Sequence, residues 1–397
     1  MYITKKQNNM KKMLFLAAVA AMSLGFTACS DDDEKVVPEG TSEVTINDNN
    51  LDVTDENVNT WTLYASAVAQ LLAKDASDLN EAWTVDYNGE PFAMTFKNHN
   101  KAPYLSAVNC LEEIVDGCID IASEVGTAKI GEPRDLWVAG KYTEAVYAVE
   151  SWYSFHSIDD YANNIQSIRN AFYGTRNNVE EYNSIATLAK NTDEAVYTSV
   201  KTKIDAAYNA IKTGMTAPFR DHIGNATVLA AQKACAELVD ALENELKPLV
   251  TSAETDNLDE IVLTYVENVV EPTYMDLVEK TSALKSAVDE LRTNPSTAAF
   301  EKAAQAWMDA REPWETSEAF LFGPVADLGL DPNMDSWPLD VDAIKEVMNS
   351  GKIEDLIKWE GEYDEEDEDI EAVQNVRGFH TLEFLLFKSG KPRTYNK

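Results

Sequence analysis

The sequence predicts an all-α protein made of two helical bundles that pack side by side. Apolar residues recur at intervals of three and four, as in the series Trp61, Tyr64, Val68, Leu71 and Leu72, and this spacing gathers them on one face of a helix. The alternation that indicates strands is nearly absent. The chain has 397 residues, which exceeds the size that a single hydrophobic core usually serves. Two domains are therefore expected.

The first predicted bundle covers residues 55–250. Its first helix is followed by a second amphipathic helix, whose apolar face carries Tyr104, Val108, Leu111, Val115 and Ile119. Further helices are predicted at 141–173, 179–190, 193–213 and 215–249. Their boundaries fall near Gly140, Gly174 and Gly214, because glycine readily adopts the left-handed conformation that ends many helices.

The second predicted bundle covers residues 257–397. It follows the polar segment 251–257, which lacks apolar spacing and is the predicted linker. Its first helix carries the regularly spaced apolar residues Leu258, Ile261, Val262, Tyr265, Val269 and Val270. Asn294 and Pro295 then supply a helix cap and a proline at the first helical position, so the next helix is predicted to carry residues 307–322.

The N-terminus has the composition of a bacterial lipoprotein signal. Residues 1–28 combine four lysines with an apolar run too short to span a bilayer, and Cys29 follows the small residues Thr27 and Ala28. This arrangement predicts lipid attachment at Cys29 and an exported protein anchored in the outer membrane, on its periplasmic side or at the cell surface. An ordinary cleaved signal with an incidental cysteine is the alternative. Residues 29–54 are predicted to be an acidic, flexible tether.

The chain carries a formal net charge of −36, and this excess of negative charge excludes nucleic acid as a partner. A field of this sign attracts cations, but it also keeps a surface protein soluble. The densest acidic run, residues 360–371, has no apolar periodicity and is predicted to be a flexible loop, with a cation-attracting lid as the alternative. Apart from Cys29, the cysteines lack CxxC spacing and are predicted to be buried apolar residues.

His380 and Glu383 are the first candidates for a functional site. They lie three residues apart in the string from Gly378 to Phe387, whose apolar residues indicate a buried helix. Positions i and i+3 project from nearly the same face of a helix, so the two side chains can reach one ligand together. A buried imidazole and carboxylate are costly without a partner. The alternative is that His380 is a hydrogen-bonded core residue.

A second set of candidates lies on the helix predicted to carry residues 307–322. Arg311, Trp314, Glu315 and Glu318 fall within one stripe, because successive residues of a helix are rotated by about 100°. Charged residues such as this arginine and these two glutamates are unusual in an apolar core, so they indicate a functional site. The alternative is an internal salt bridge of Arg311 with Glu315 or Glu318.

A third polar segment, with the pattern ES-x-x-S, begins at Glu150 on the helix predicted at 141–173. Glu150, Ser154 and Asp160 would line the wall of a cleft opposite His380 if the two bundles face each other. The alternative is that these residues are helix caps and solvated polar groups, which short polar side chains often form near helix ends.

Three segments together resemble the imelysin-like family. They are residues 306–324, residues 335–340, and the string RGFHTLEFLLF, which holds the family's GxHxxE hallmark at 378–383. The segments 121–130 and 149–165 resemble the family's other domain. In the family the domain that carries GxHxxE comes first, whereas here it comes second, as in a circular permutation.

The resemblance implies an all-α fold of two bundles and a role in bacterial iron uptake. It favours a bound metal ion, divalent or ferric and iron in particular, in a cleft between the bundles. Taken with the residue patterns, it implies that the ligands are His380, Glu383, Glu318 and Glu150. The residues expected to orient them or to contact a ligand are Arg311, Trp314, Ser154, Asp160, Trp337 and Arg377. The implied partners are the ion or a small ligand, the membrane through the lipid anchor alone, and iron-uptake membrane proteins.

Two other functions stay open. The family's founding member was described as a membrane peptidase, but this sequence lacks the HExxH of common zinc peptidases and the GxSxG of serine hydrolases. That absence disfavours peptide hydrolysis. A receptor for a peptide or small ligand would use His380, Glu383 and Arg311 as hydrogen-bonding groups in a pocket lined by Trp314 and Trp337. Metal analysis and a protein digestion assay distinguish these possibilities.

Overall fold

The computed structural model describes residues 51–351, 353–357 and 373–395. The predicted signal peptide, Cys29, the tether up to residue 50 and the acidic run at 360–371 lie outside the described residues. Within these ranges the chain is helical almost throughout, with one short two-stranded hairpin, and the predicted all-α fold is confirmed. None of the helices in these ranges is both long and apolar enough to cross a membrane.

The first half of the described chain alternates between long and short helices. They are α1 (Val58–Thr84), α2 (Phe92–Asn98), α3 (Ala107–Glu124), α4 (Gly131–Val138), α5 (Tyr142–Ala148), α6 (Ser157–Tyr173), α7 (Ile185–Thr192), α8 (Glu194–Asn209), α9 (Ala226–Ala241) and α10 (Lys247–Thr251). A single 3₁₀ turn at Phe219–Asp221 precedes α9. The side chains of Ser106 and Ser184 accept hydrogen bonds from the first turns of α3 and α7, which is the usual reason that serine begins a helix.

The second half contains two long helices and several short ones. They are α11 (Leu258–Tyr265), α12 (Glu271–Thr293), α13 (Thr297–Glu315), α14 (Pro324–Asp327), α15 (Leu330–Asp335), α16 (Val341–Ser350), α17 (Ile353–Ile357) and α18 (Gly378–Leu386). The strands β1 (Phe387–Lys388) and β2 (Lys391–Pro392) form the antiparallel hairpin that follows α18. The helical path includes π turns, in which one extra residue widens the helix, at Val125–Lys129, Ala210–Gly214, Leu242–Leu246 and Val266–Val270.

The helix α1 shares a core with helices from the second half of the chain. It lies along α12 and contacts α18, while α12 also packs against α13. Two buried tryptophans fix α18 through its backbone, since Trp61 donates its indole N–H to the Leu385 carbonyl at 2.8 Å and Trp307 donates to the Phe379 carbonyl at 2.9 Å. The division into two bundles at 251–257 stays a prediction.

The prediction of one continuous helix at 141–173 is wrong in the middle of that range. It is two helices, α5 and α6, separated by the segment 149–156. Ser151 and Phe155 in this segment have φ values of +53° and +66°, a region that residues with a side chain rarely adopt. Local polar contacts support the break, because the Ser157 hydroxyl donates to the Glu150 carbonyl at 2.5 Å.

The helix α13 is shorter than predicted at both ends. Its cap is Ser296, whose hydroxyl accepts from the Ala299 N–H, so Asn294 is not the cap. It ends at Glu315 and is followed by a 3₁₀ turn at Glu318–Phe320. Glu318 therefore leaves the stripe that the continuous helix predicted. Cys110, Cys118 and Cys235 are buried free cysteines, as expected.

Candidate metal centre

His380 lies at the centre of a buried cluster of carboxylates. Its Nδ1 is 3.1 Å from Glu383 Oε2, one turn further along α18. Its Nε2 is 3.2 Å from Glu150 Oε1 and 3.2 Å from Asp335 Oδ1. The imidazole and the Glu383 side chain are fully buried. One ring nitrogen thus faces a carboxylate of its own helix, and the other faces two carboxylates from distant segments.

A glycine brings Asp335 to this imidazole. Gly378 opens α18 with φ +82°, and a Cβ built there would lie 2.4 Å from the Met334 carbonyl oxygen. Only a residue without a side chain permits this approach of α18 to the end of α15. Trp337 follows Asp335 closely in the chain, and its ring covers the imidazole at a centroid distance of 4.8 Å.

The segment 149–156 holds both Glu150 and the partner of Glu383. The Ser154 backbone N–H and hydroxyl donate to Glu383 Oε1 at 2.7 and 2.8 Å. The Gly390 N–H of the hairpin donates to the Tyr153 carbonyl at 2.8 Å, which ties the segment to the chain that follows α18. The irregular backbone therefore has a positional role, because it directs donors toward a carboxylate that would otherwise be buried without partners.

Arg311 joins four carboxylates, and two of them, Glu150 and Asp335, also face the imidazole. Its guanidinium forms ion pairs with Glu315 and Asp335, lies 3.2 Å from Asp160 Oδ2, and lies 3.5 Å from Glu150 Oε1. The side chain is fully buried. The salt bridge with Glu315 that the sequence offered as an alternative is present, and it is part of a larger network.

Three further side chains donate hydrogen bonds to the carboxylates of the network. The Trp314 indole N–H donates to Asp335 Oδ2 at 2.7 Å, and the Ser151 hydroxyl donates to Asp160 Oδ2 at 2.5 Å. The Asn164 amide donates to a Glu315 oxygen at 2.5 Å. These bonds help to orient Asp335, Asp160 and Glu315.

Lys129 reaches the cluster from the π turn that follows α3. Its Nζ lies 3.3 Å from Glu150 Oε2, 4.0 Å from Glu318 Oε1 and 3.8 Å from Glu124 Oε1. Lys129 also lines a cavity of about 620 Å³, together with Glu150, Glu318, Asp335 and Trp337, among other residues. Glu150 and Asp335 thus connect the sealed imidazole to a space that a ligand can enter.

The electrostatics of the cluster favour a charged imidazole and charged partners. Burial alone would lower the pKa of His380, but Asp335, Glu150 and Glu383 raise that pKa well above its usual range. Burial opposes ionisation of Glu150, yet Lys129 and His380 lower the pKa of Glu150 to about 2. Burial also opposes ionisation of Asp335. Arg311 and His380 outweigh burial and hold the pKa of Asp335 well below its usual range.

Carboxyl groups nevertheless outnumber cationic side chains in the cluster. Six carboxyl groups meet three cationic side chains, and the carboxyl groups are those of Glu150, Asp160, Glu315, Glu318, Asp335 and Glu383, opposite Lys129, Arg311 and His380. Burial raises the pKa of Glu318 well above its usual range, and Lys129 offsets only part of that rise. A buried excess of carboxylates takes up protons or a cation.

Two groups of side chains have the spacing of metal ligands. The first contains Glu150, Asp335 and His380, and the second contains Glu315, Glu318 and Asp335. Within each group the candidate ligand atoms lie within 4.8 Å of one another. Imidazole nitrogen and carboxylate oxygen suit first-row transition metals.

The structure brings most of the predicted site residues together. The residues in the cluster are His380, Glu383, Glu318, Glu150, Arg311, Trp314, Ser154, Asp160 and Trp337. Arg377 lies elsewhere, in a buried ion pair with Asp75 of α1. Asp335 and Lys129 were missed as site residues, although both belong to segments that carry the family resemblance.

The chain is similar to known proteins over most of its length. The model of the imelysin (peptidase M75) family matches residues 37–249 and 270–397. A solved structure of an imelysin peptidase from Bacteroides ovatus is 50% identical, with a TM-score of 0.84, and the likeness covers 88% of this chain and 100% of that one. Iron-regulated protein A from Synechococcus elongatus is 32% identical over 129 residues, or 32% of this chain and 31% of that protein, so the match spans about a third of the curated relative. The family match extends over most of the chain, and the chain therefore belongs to the imelysin family.

Proposed function

We propose that this protein binds a metal ion, iron in particular, at the cluster around His380 and serves iron uptake at the cell envelope. The observation that carries the proposal is the position of His380 Nε2, which faces Glu150 Oε1 and Asp335 Oδ1 at 3.2 Å each. A nitrogen and two carboxylate oxygens that converge on one point are a suitable donor set for a divalent or ferric ion.

The residues present fit such an ion in charge as well as in donor type. The six carboxyl groups outnumber the three cationic side chains of the cluster, so a bound cation would take the place of protons on the carboxyls that burial keeps uncharged. An ion held there would also replace the proton that the imidazole otherwise shares with Glu150 and Asp335. Glu318 would supply a further oxygen from the second group.

Glu383 takes a different role in this proposal from the ligand role expected from sequence. It faces His380 Nδ1, the nitrogen that points away from Glu150 and Asp335, and both donors of Ser154 hold it there. A carboxylate in this position fixes the orientation of the imidazole and raises its basicity toward a metal. Arg311 and Trp314 orient Asp335 in a similar way.

The proposal is tested by metal titration of the folded protein from which metal has been removed. Calorimetry with Mn²⁺, and with Fe²⁺ under anaerobic conditions, should show one or more bound ions in the wild type. His380→Ala and Asp335→Ala should weaken binding by more than about 100-fold, since loss even of an outer partner costs about 10–100-fold. His99→Ala is the matched control, because His99 faces the carboxylate of Asp259 at 3.1 Å in an exposed ion pair. Equal binding by all variants would exclude this cluster as the site.

The role of Glu383 is tested in the same titration. Glu383→Gln keeps an oxygen that accepts from His380 Nδ1 but removes the charge, so we expect a loss of about 10–100-fold if Glu383 orients the imidazole. A loss as large as that of His380→Ala would instead identify Glu383 as a direct ligand.

Iron is favoured by the name of the curated relative, iron-regulated protein A, although the match covers only part of that protein. Uptake implies delivery of the ion to membrane proteins of the envelope. Growth under iron limitation, compared between a deletion strain and strains that carry wild-type or His380→Ala protein, tests this part. Restoration of growth by the His380→Ala protein would refute it.

The lipid anchor is proposed on the sequence around Cys29. Labelled palmitate should be incorporated into the wild-type protein and not into Cys29→Ser, and only the wild type should partition into detergent. Equal labelling of both proteins would refute the anchor.

Peptide hydrolysis is tested alongside metal binding, because the solved relative is described as a peptidase. Within residues 51–351, 353–357 and 373–395, no second histidine belongs to the groups with metal-ligand spacing. We therefore expect casein to remain intact when it is incubated with the metal-loaded protein. Digestion that is lost in His380→Ala would establish peptidase activity at this site.

A further inference from the structure

Lys129 places an ammonium group among the carboxylates of the candidate metal centre. Its Nζ lies 3.3 Å from Glu150 Oε2 and 4.0 Å from Glu318 Oε1, and its side chain is only 9% exposed. Glu150 and Glu318 each belong to one of the two groups with metal-ligand spacing. The ammonium therefore bridges the two groups from the side of the cavity.

The π turn sets the direction of this side chain. The Ile130 N–H donates to the Val125 carbonyl, five residues earlier, at 3.0 Å, which is the hydrogen bond that defines a π turn. The extra residue changes the helical register between α3 and α4, and Lys129 is the last residue of the turn. Single π turns of this kind are frequent at functional sites.

Lys129 also has a carboxylate partner on the outer side of the cavity. Glu124 Oε1 lies 3.8 Å from Nζ, and the Glu124 side chain is 53% exposed. The lysine side chain has a flexible four-carbon stem. Rotation of the Lys129 side chain can therefore move the ammonium away from Glu150 and Glu318 and toward Glu124.

Building on the proposed metal site, we propose that Lys129 is a resident counter-ion that a metal ion must displace. Without metal, its ammonium pairs with Glu150 and lies beside Glu318. When an ion takes these oxygens, the repulsion between two cations a few ångströms apart drives the ammonium outward to Glu124. The exchange favours multivalent ions, because a monovalent ion brings no more charge than the ammonium that it replaces.

The test compares the Mn²⁺ affinity of four proteins by calorimetry. Lys129→Met removes the competing charge and should bind Mn²⁺ about tenfold or more tightly than the wild type, since a charge a few ångströms away contributes several RT even at high effective dielectric. Lys203→Met is the matched control, because Lys203 pairs with Glu237 at the surface, and its affinity should not change. Glu124→Gln removes the outer partner and should bind Mn²⁺ severalfold more weakly.

The outcomes separate this inference from the metal site itself. If the wild type binds Mn²⁺ and Lys129→Met binds it with equal or lower affinity, the inference is overturned and the metal site stands. No binding by any of the four proteins overturns both. Glu124→Gln retains Lys129 and alters an exposed residue, so it provides a result even if Lys129→Met fails to fold. If Glu124→Gln binds Mn²⁺ as tightly as the wild type does, the movement of the Lys129 ammonium to Glu124 is refuted.

Discussion

The close approach of α18 to α15 can be tested by the substitution Gly378→Ala. Gly378 has φ +82°, and an added Cβ would lie 2.4 Å from the Met334 carbonyl oxygen and 2.7 Å from its carbon. Met334 directly precedes Asp335, so the displacement acts on the carboxylate that faces His380 Nε2. We expect both the stability of the fold and the metal affinity to fall.

The size of the loss follows from two separate costs. The left-handed conformation costs a residue with a side chain about 1–2 kcal/mol, and an extra carbon forced into a packed interior costs about 1–3 kcal/mol. Gly378→Ala should therefore lower the free energy of unfolding by about 2–5 kcal/mol. Gly140 provides a matched control, because it has φ +79° and nothing within 4 Å of an added Cβ. Gly140→Ala should show the backbone cost alone.

Denaturant unfolding and Mn²⁺ calorimetry of the wild type and both variants measure these effects. Gly378→Ala should lose about 1–3 kcal/mol more than Gly140→Ala and bind Mn²⁺ more weakly, while Gly140→Ala keeps the wild-type affinity. If the two variants unfold alike, or if Gly378→Ala binds Mn²⁺ as tightly as the wild type, the contact with Met334 does not position the site.

Three further changes have expected outcomes. Asp75→Asn leaves the Arg377 guanidinium buried without its charged partner and should lower the free energy of unfolding by about 3–5 kcal/mol in denaturant titrations. Ser154→Ala removes one of two hydrogen bonds to Glu383, so it should cost about 1 kcal/mol in unfolding experiments and weaken metal binding less than Glu383→Gln does. The pKa of His380 is raised well above its usual range, so the imidazole binds metal only by releasing a proton. Metal affinity should then rise with pH, and calorimetry in buffers of different ionisation enthalpy should detect the released protons.

The buried pair of Asp75 and Arg377 has a partly exposed counterpart at the surface. Asp276→Asn breaks an ion pair with Arg176 whose side chains are partly exposed, and it should cost no more than about 1 kcal/mol. An Asp75→Asn loss no larger than that would show that the buried pair with Arg377 is not needed. Metal affinity that is constant from acid to neutral pH would show that His380 is not a ligand.

The sequence predicted the helical fold and the residues whose types stand out against an apolar background. His380, Arg311 and Glu150 are polar residues in strings that otherwise follow a buried helical pattern, and the structure brings them into contact. The spacing of His380 and Glu383 correctly placed both on one face of α18. Periodicity does not specify which ring nitrogen faces which carboxylate, because that depends on Ser154, far away in the chain.

The elements that were missed depend on contacts that local patterns do not encode. Apolar spacing continues through Val146, Val149 and Tyr153, so the segment 149–156 was predicted as helix, although its backbone is irregular. Asp335 reaches the site through the contact of Gly378 with the end of α15, which joins distant parts of the chain. Lys129 depends on a π turn, which has no reliable sequence pattern.

The placement of α18 has a consequence for how the protein matures. A ribosome makes the chain from its N-terminus, so Lys129 and Glu150 of the cavity wall are synthesised long before His380. The imidazole joins them only after almost the whole polypeptide has been synthesised, because α18 must first insert beside α1 and α13. Nascent and truncated chains therefore lack the assembled cluster of Lys129, Glu150 and His380.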